Sequence, residues 1–128
     1  MKTIKQMVEF KAKPEEVYDA LMDSRKHAQF TGARATVSRK VGGKFSVWDG
    51  YAGGKNLELL PGKRIVQSWR ASDWPEGAVS KVTYIFAKTK KGTKLMFTQT
   101  GVPDDFAADI RRGWKDFYWG PMKGMLDK

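Results

Sequence analysis

The chain has 128 residues, a formal net charge of +10, 41% hydrophobic residues and no cysteine. This length predicts one domain over residues 1–128 with a substantial core, and the hydrophobic content excludes a disordered chain. Without cysteine the protein has no disulfide, thiol nucleophile or sulfur-ligated metal. The sequence has no apolar run near the roughly 18 residues of a membrane span and no signal-peptide core at its start, so we expect a cytoplasmic protein without a membrane span.

The positive charge would attract acidic proteins, nucleic acid or anionic membrane surfaces. The basic residues gather at predicted turns, where soluble β-proteins place solvated charge and protect strand edges. They include Arg39, Lys40, Lys44, Lys63, Arg64, Lys88, Lys90, Lys91 and Lys94. This distribution favours solubilising charge. A basic surface for an acidic protein or a membrane is the alternative, and nucleic acid is the least favoured partner.

The N-terminal third is predicted to form one strand and two short helices. Residues 3–10 alternate between apolar and polar side chains, as in a half-buried strand. Pro14 suits the first position of a helix, and the two glutamates after it would lie at the positive end of the helix dipole. Ser24 is a candidate cap for a second short helix that ends near Gly32.

Six further strands are predicted between turns that contain glycine and proline. Their ranges are 34–39, 43–49, 51–59, 63–71, 79–88 and 93–101. The Asp49-Gly50 pair is a signal for a turn between adjacent antiparallel strands. The segment 74–77 predicts a longer loop, because Pro75 lacks an amide proton and Gly77 tolerates left-handed backbone angles.

The C-terminal segment from about 106 to 127 is predicted to form a long amphipathic helix. Its apolar stripe recurs at helical spacing at positions 106, 110, 114, 117, 121 and 125. We expect Trp114 to point into the sheet, and Phe117 lies on the same stripe. Gly120 and Pro121 interrupt the pattern, and a proline inside a helix costs about 3 kcal/mol. The sequence therefore predicts a kink there, or a helix that restarts at Pro121.

The order of elements is strand, two short helices, six strands and one long helix. One helix cannot cover both faces of so large a sheet, so the sheet must curl around it. The sequence therefore predicts an α+β helix-grip fold, in which a curled antiparallel sheet of about seven strands wraps around the long C-terminal helix and two short helices follow the first strand. Birch-pollen-allergen-like and START-like lipid-transfer domains have this architecture.

An ordered set of short motifs also resembles a known family. The motifs are Gly42-Gly43-Lys44-Phe45, Trp48-Asp49-Gly50, Leu60-Pro61-Gly62-Lys63, Ile65-Val66, Trp69-Arg70, Trp74-Pro75-Glu76-Gly77, Gly92-Thr93-Lys94-Leu95, Gly101-Val102-Pro103 and Gly113-Trp114. Together they resemble the C-terminal domain of the activator of the ninety-kilodalton heat-shock chaperone's ATPase, over nearly the whole chain. The resemblance implies the helix-grip fold. It also implies a domain that contacts the chaperone's nucleotide-binding region and promotes the closed, ATP-hydrolysing state.

Residues with catalytic chemistry are few, and we predict no enzyme, no catalytic or metal-binding residue and no cofactor. His27 is the only histidine, which excludes His-rich metal sites, and we expect it at the surface or at a helix cap. The acidic pairs at 15–16 and 104–105 fit helix capping better than acid–base catalysis. No glycine-rich loop leads into a helix, as phosphate binding would require.

Three functions stay open, with a binding module favoured. Such a module would bind the ninety-kilodalton chaperone or another acidic protein through a set of predicted partner-binding residues, namely Arg70, Trp74, Pro75, Glu76 and Gly77. Trp74 either folds back on the sheet or is exposed as a binding anchor.

The first alternative is a carrier or sensor of a lipid or other hydrophobic small molecule, held between the sheet and the long helix. The aromatic and aliphatic residues predicted to line that cavity are Phe45, Val47, Trp69, Phe86, Phe97, Trp114 and Tyr118. The second, less favoured, is an enzyme similar to polyketide cyclases. Its polar groups would be Gln6, Gln67 and Gln99 on otherwise apolar strand faces, although buried hydrogen bonds to the backbone explain these amides more simply.

Overall fold

The computed structural model describes residues 1–127. Its strands are β1 (Lys2–Phe10), β2 (Thr36–Val37), β3 (Lys44–Val47), β4 (Ala52–Leu60), β5 (Arg64–Ala71), β6 (Ser80–Lys88) and β7 (Thr93–Val102). Its helices are α1 (Pro14–Met22) and α2 (Ser24–Thr31), followed at the C-terminus by a 3₁₀ turn (Asp104–Phe106), α3 (Ala107–Trp114), a π-helical turn (Lys115–Trp119) and α4 (Gly120–Leu126). The predicted α+β helix-grip fold is confirmed.

The seven strands form one sheet in the order β1-β7-β6-β5-β4-β3-β2. All neighbouring strands are antiparallel, and the first strand joins the sheet beside the last. The register between β4 and β5 shifts between Asn56 and Glu58, and an irregularity of this kind bends and twists a strand. The sheet thereby curls around the C-terminal helical segment.

The core lies between the concave face of the sheet and the helices. Sheet residues that alternate along their strands contribute fully buried side chains, such as Ile4, Val82 and Leu95, each at 0% exposure. From the helical side, Trp114 and Met122 are 2% and 0% exposed. The predicted inward position of Trp114 is therefore confirmed.

The C-terminal helix changes its winding at the π-helical turn. The Gly120 N–H donates to the carbonyl of Lys115, five residues earlier, rather than to the residue four earlier. Pro121 has no N–H to donate, so an α-helical bond to the carbonyl of Phe117 cannot form. A new helix, α4, begins at Gly120 with Pro121 in its first turn, close to the predicted restart.

The π-helical turn also shifts the apolar stripe after Trp114. A π-helical turn holds one residue more than an α-helical turn, so the positions that follow rotate about the helix axis. The buried residues are now Tyr118, Trp119 and Met122. Phe117 is 53% exposed, and its predicted place on the buried stripe was wrong.

The strands on either side of the β2–β3 connection are shorter than predicted. The predicted ranges 34–39 and 43–49 contain ladder pairing only at Thr36–Val37 and Lys44–Val47. Trp48 and Asp49 have φ angles of 56° and 55°, which a β-strand cannot contain. They form the turn that leads into β4, at the place where the Asp49-Gly50 signal predicted one.

Candidate functional site

Arg70 fastens the loop between β5 and β6. Its Nη1 atom donates to the carbonyls of Pro75 and Ala78, at 2.6 and 2.7 Å, and its Nη2 atom donates to the carbonyl of Trp74 at 2.9 Å. These charge-assisted bonds are stronger than neutral ones. Arg70 therefore positions this loop, and three of its N–H bonds are already used within the chain.

Trp74 lies under the same loop. Its side chain is 4% exposed, with ring centroids 5.4 Å from Trp69 and 6.4 Å from Phe106. The indole folds back on the sheet, so the alternative of an exposed anchor was wrong. The Trp74 Nε1–H is buried and meets no hydrogen-bond acceptor within residues 1–127.

The tip of the loop faces solvent. Pro75, Glu76 and Gly77 are exposed, and Gly77 has the positive φ of 81° that this turn requires. Val79, at the end of the loop, is 52% exposed. The structure brings the five predicted partner-binding residues together at this loop. Arg70, at the end of β5, and Trp74 lie beneath it, and the other three are on its surface.

A shallow groove of about 520 Å³ begins beside this loop on the outer face of the sheet. Lys44 and Lys55 lie on its sides and are cross-strand partners in β3 and β4. Like charges directly opposite each other destabilise a sheet. Gly53 and Gly54 form the floor, and a side chain at Gly54 would overlap the Ser68 carbonyl. The groove is thus basic and flat.

The space beneath the C-terminal helix is filled. An internal void of about 10 Å³ is lined by four of the predicted cavity residues, Phe45, Val47, Trp69 and Tyr118. That volume accommodates at most about one water molecule. The other predicted cavity residues, Phe86, Phe97 and Trp114, pack in the core, with 4.4 Å between the centroids of Phe97 and Trp114. This void is too small for a lipid.

His27 lies beside this void and is 5% exposed, so its predicted surface or cap position was wrong. Its Nδ1 atom is 3.0 Å from the Leu21 carbonyl and its Nε2 atom is 3.0 Å from the Tyr118 hydroxyl. A neutral imidazole satisfies both contacts, with Nδ1–H as donor and Nε2 as acceptor. Burial lowers the pKa of His27, against a smaller opposite effect of the Leu21 bond. Burial also raises the pKa of Tyr118.

The glutamines on the inner sheet face are tied into hydrogen-bond networks. Gln99 Oε1 accepts from the Trp114 indole at 2.8 Å, and Gln99 Nε2 donates to the Ser80 hydroxyl at 2.9 Å. Gln67 donates to the Asn56 side chain at 2.9 Å. These hydrogen bonds account for both amides structurally, but the partners are side chains and not the backbone groups that were predicted.

Gln6 has the same kind of role at the other end of the sheet. Its Oε1 atom accepts from the Trp119 indole at 2.6 Å, and its Nε2 atom donates to the Arg111 carbonyl at 2.9 Å. The amide therefore fastens β1 to the C-terminal helix. Both polar atoms of this side chain thus have hydrogen-bond partners within residues 1–127.

An open cleft of about 420 Å³ lies between the C-terminal helix and the turn after β3. Its walls are aromatic: Trp48 and Tyr51 face Phe106 and Phe117, and the centroids of Trp48 and Phe117 are 5.2 Å apart. The left-handed backbone at Trp48 is unfavourable for a bulky residue. This cleft was not predicted as a separate feature from the sequence.

The floor of the cleft consists of Trp69, Trp114 and Tyr118, three residues that the sequence placed in an internal cavity. Two carboxylates, Asp73 and Asp109, lie at its rim. Burial and then the negative charges of these two aspartates raise the pKa of the Tyr51 hydroxyl. The cleft is therefore apolar at its base and negatively charged at its mouth.

Comparison with known proteins identifies the family. The family model described as activator of Hsp90 ATPase homolog 1-like protein matches residues 11–127. The chain belongs to this family. The resemblance that the motifs carried is thereby confirmed.

Two curated members of the activator family are similar in sequence. The activator of 90 kDa heat shock protein ATPase homolog of Dictyostelium discoideum is 38% identical over 115 residues, which are 89% of this chain and 30% of that protein. Homolog 1 of Homo sapiens is 34% identical over 114 residues, 89% of this chain and 34% of that protein. The chain thus spans about a third of the length of these relatives.

A solved structure shows the same fold. An HSP90 activator from Plasmodium falciparum superposes with a TM-score of 0.89 at 27% identity, over 98% of this chain and 96% of that one. Within residues 1–127 no group of side chains has the composition of a metal site. None of the described helices has the length and hydropathy of a membrane span.

Proposed function

We propose that this chain is a non-enzymatic, co-chaperone-like module that docks on a ninety-kilodalton heat-shock chaperone and promotes its ATPase activity in the cytoplasm. The observation that carries the proposal is membership of the Hsp90 ATPase activator family over residues 11–127. The filled interior supports docking over transport of a lipid, since the void beneath the helix measures about 10 Å³.

The docking surface we propose combines the exposed loop tip with the basic groove beside it. Pro75, Glu76 and Gly77 would contact the partner directly, while Arg70 and Trp74 hold the loop in shape. The groove supplies Lys44 and Lys55, whose mutual repulsion in adjacent strands would be relieved by an acidic segment of the partner. Val79 adds exposed apolar area between the loop and the groove.

The mechanism requires no chemistry in this chain. A module that binds the closed conformer of the chaperone more tightly than the open one shifts the population toward the closed state by that difference in affinity. The net charge of +10 accelerates the encounter with an acidic surface. Because exposed charges are screened within about 8 Å at physiological salt, association should slow as the salt concentration rises.

Charge reversal in the groove tests this surface. We expect Lys44→Glu with Lys55→Glu to weaken binding to the chaperone about tenfold or more in low salt. The matched control is Lys90→Glu with Lys91→Glu, which makes the same change in net charge at the exposed turn between β6 and β7. Isothermal titration calorimetry measures both variants against the wild type.

The result has two informative outcomes. A loss of affinity confined to the groove variant supports a local docking surface. An equal loss in the control variant would mean that only overall charge matters, and the proposed surface would be wrong. Circular dichroism of each variant verifies that the fold is retained.

A further inference from the structure

The aromatic cleft has a charge opposite to that of the protein that contains it. The chain has 24 Lys and Arg residues against 14 Asp and Glu. Within the described residues 1–127, however, the lining of the cleft contains Asp73 and Asp109 and no Lys or Arg. Both aspartates act on the same hydroxyl, that of Tyr51, so their fields converge on the mouth of the cleft.

The walls of the cleft contain aromatic rings suited to binding a cation. The space is surrounded by Trp48, Tyr51, Phe106 and Phe117. The faces of aromatic rings attract organic cations through the ring quadrupole. Phe117 and Tyr51 are 53% and 39% exposed, so their rings can be reached from solvent. Neither ring is needed to fill the core.

A glycine keeps the cleft open. Gly113 lies inside α3 and lines the cleft, and glycine destabilises the interior of a helix relative to alanine. Its backbone is not in a left-handed conformation, and an added Cβ would make only an ordinary contact of 3.7 Å with Phe117. Neither backbone geometry nor close packing therefore explains this glycine, whereas the open space beside it does.

A basic group that contacts the rim does not neutralise the site. Arg112 approaches Asp109 at 3.6 Å, but the two side chains are 70% and 81% exposed. An ion pair this exposed contributes little, and a bound cation can replace it. The volume of about 420 Å³ lies in the range of small-molecule sites.

We propose that this cleft binds a small organic cation: an ammonium group held between the aromatic walls and the two rim carboxylates, with an apolar body against Ile110 and the indoles below. The site is separate from the docking groove, since the two share only Trp69 among their lining residues. The proposal therefore does not depend on the proposed chaperone function.

The test compares a cation with its neutral isostere and with an anion that contains the same tert-butylphenyl body. Phenyltrimethylammonium is the cation, tert-butylbenzene is its neutral isostere and 4-tert-butylbenzoate is an anion. We expect the cation to bind the full chain with a Kd of about 1 mM or tighter, a reasonable affinity for a ligand of this size. Tryptophan fluorescence and NMR shifts of the indole N–H groups should both report it. The neutral and anionic probes should bind at least about fivefold more weakly.

Two variants localise the binding. Asp73→Asn with Asp109→Asn keeps the shape of the rim but removes its charge, and should abolish the preference for the cation over the neutral probe. Gly113→Leu places a side chain in the cleft and should abolish binding of every probe. The matched control Gly124→Leu changes a glycine of α4 that has open space beside it, and should bind the cation as the wild type does.

Three outcomes would overturn the proposal: equal affinity for the neutral isostere, no effect of the aspartate substitutions, or unchanged binding in Gly113→Leu. The proposal is also wrong if the cation does not bind but the variant with Asp73→Asn and Asp109→Asn loses affinity for the chaperone. In that case the cleft binds a basic side chain of a partner protein instead. Loss of chaperone binding in the groove variant alone leaves this proposal intact.

Discussion

The hydrogen bond between Gln99 and Trp114 connects the centre of the sheet to the C-terminal helix, and its removal should be costly. Gln99 is completely buried, with Trp114 Nε1 at 2.8 Å and the Ser80 hydroxyl at 2.9 Å. Gln99→Leu keeps a similar volume but leaves the indole N–H without an acceptor. A buried, unsatisfied donor costs about 1–3 kcal/mol.

The size of the expected stability loss depends on which hydrogen bonds remain after Gln99→Leu. The Ser80 hydroxyl still donates to the Trp69 carbonyl at 2.7 Å, so it loses one partner and not all of them. We therefore expect Gln99→Leu to lower the free energy of unfolding by about 2–3 kcal/mol. For a chain of this length the melting temperature should fall by roughly 6–12 °C.

A double-mutant cycle isolates the bond itself. Trp114→Phe removes the indole N–H, and we expect the combination with Gln99→Leu to cost about 1–2 kcal/mol less than the sum of the single changes. Urea unfolding should be monitored by far-ultraviolet circular dichroism, because Trp114→Phe itself changes the tryptophan fluorescence. Thr100→Val, at an exposed position of the same strand, is the control. Additivity within about 0.5 kcal/mol would refute the reasoning.

Three further predictions concern backbone space, titration and the helix stripe. Gly54→Ala should destabilise the protein by about 3 kcal/mol, because the added Cβ would overlap the Ser68 carbonyl of β5. Gly124→Ala, by contrast, should be neutral or stabilise the protein by up to about 1 kcal/mol. Thermal unfolding of the two variants compares them. Burial holds the pKa of His27 below its ordinary 6.5 in the folded state. The unfolded state therefore binds more protons than the folded state, and the free energy of unfolding should fall as the pH drops from 6.5. In His27→Gln this part of the pH dependence should vanish. Trp114→Ala should lower the free energy of unfolding by about 3–5 kcal/mol, and Phe117→Ala by about 1 kcal/mol or less. Urea unfolding that showed equal losses for the two variants would contradict the shifted apolar stripe.

The order of elements was predictable because it depends on local signals. Alternation, glycine turns and the proline at the start of α1 act over a few residues, and the strands from β4 to β7 fall close to their predicted ranges. The short β2 was not predictable from alternation alone. Its length depends on its partner β3, which ends where Trp48 adopts a left-handed backbone.

The burial of single side chains depends on partners distant in sequence. His27 was misplaced because its hydrogen-bond partner Tyr118 lies 91 residues away. Phe117 was misplaced because one extra residue in the π-helical turn rotates everything after it. The loop containing Trp74 looks polar in sequence, and only the fold brings Trp69 and Phe106 against its indole.

The most direct test of the account is a titration of this chain against the ninety-kilodalton heat-shock chaperone of the same organism, with its ATP hydrolysis rate followed in parallel. The docking account predicts saturable binding at roughly tens of micromolar or tighter in low salt, weaker binding as salt rises, and faster hydrolysis at saturation. No binding at these concentrations in low salt, with an unchanged hydrolysis rate, would contradict it.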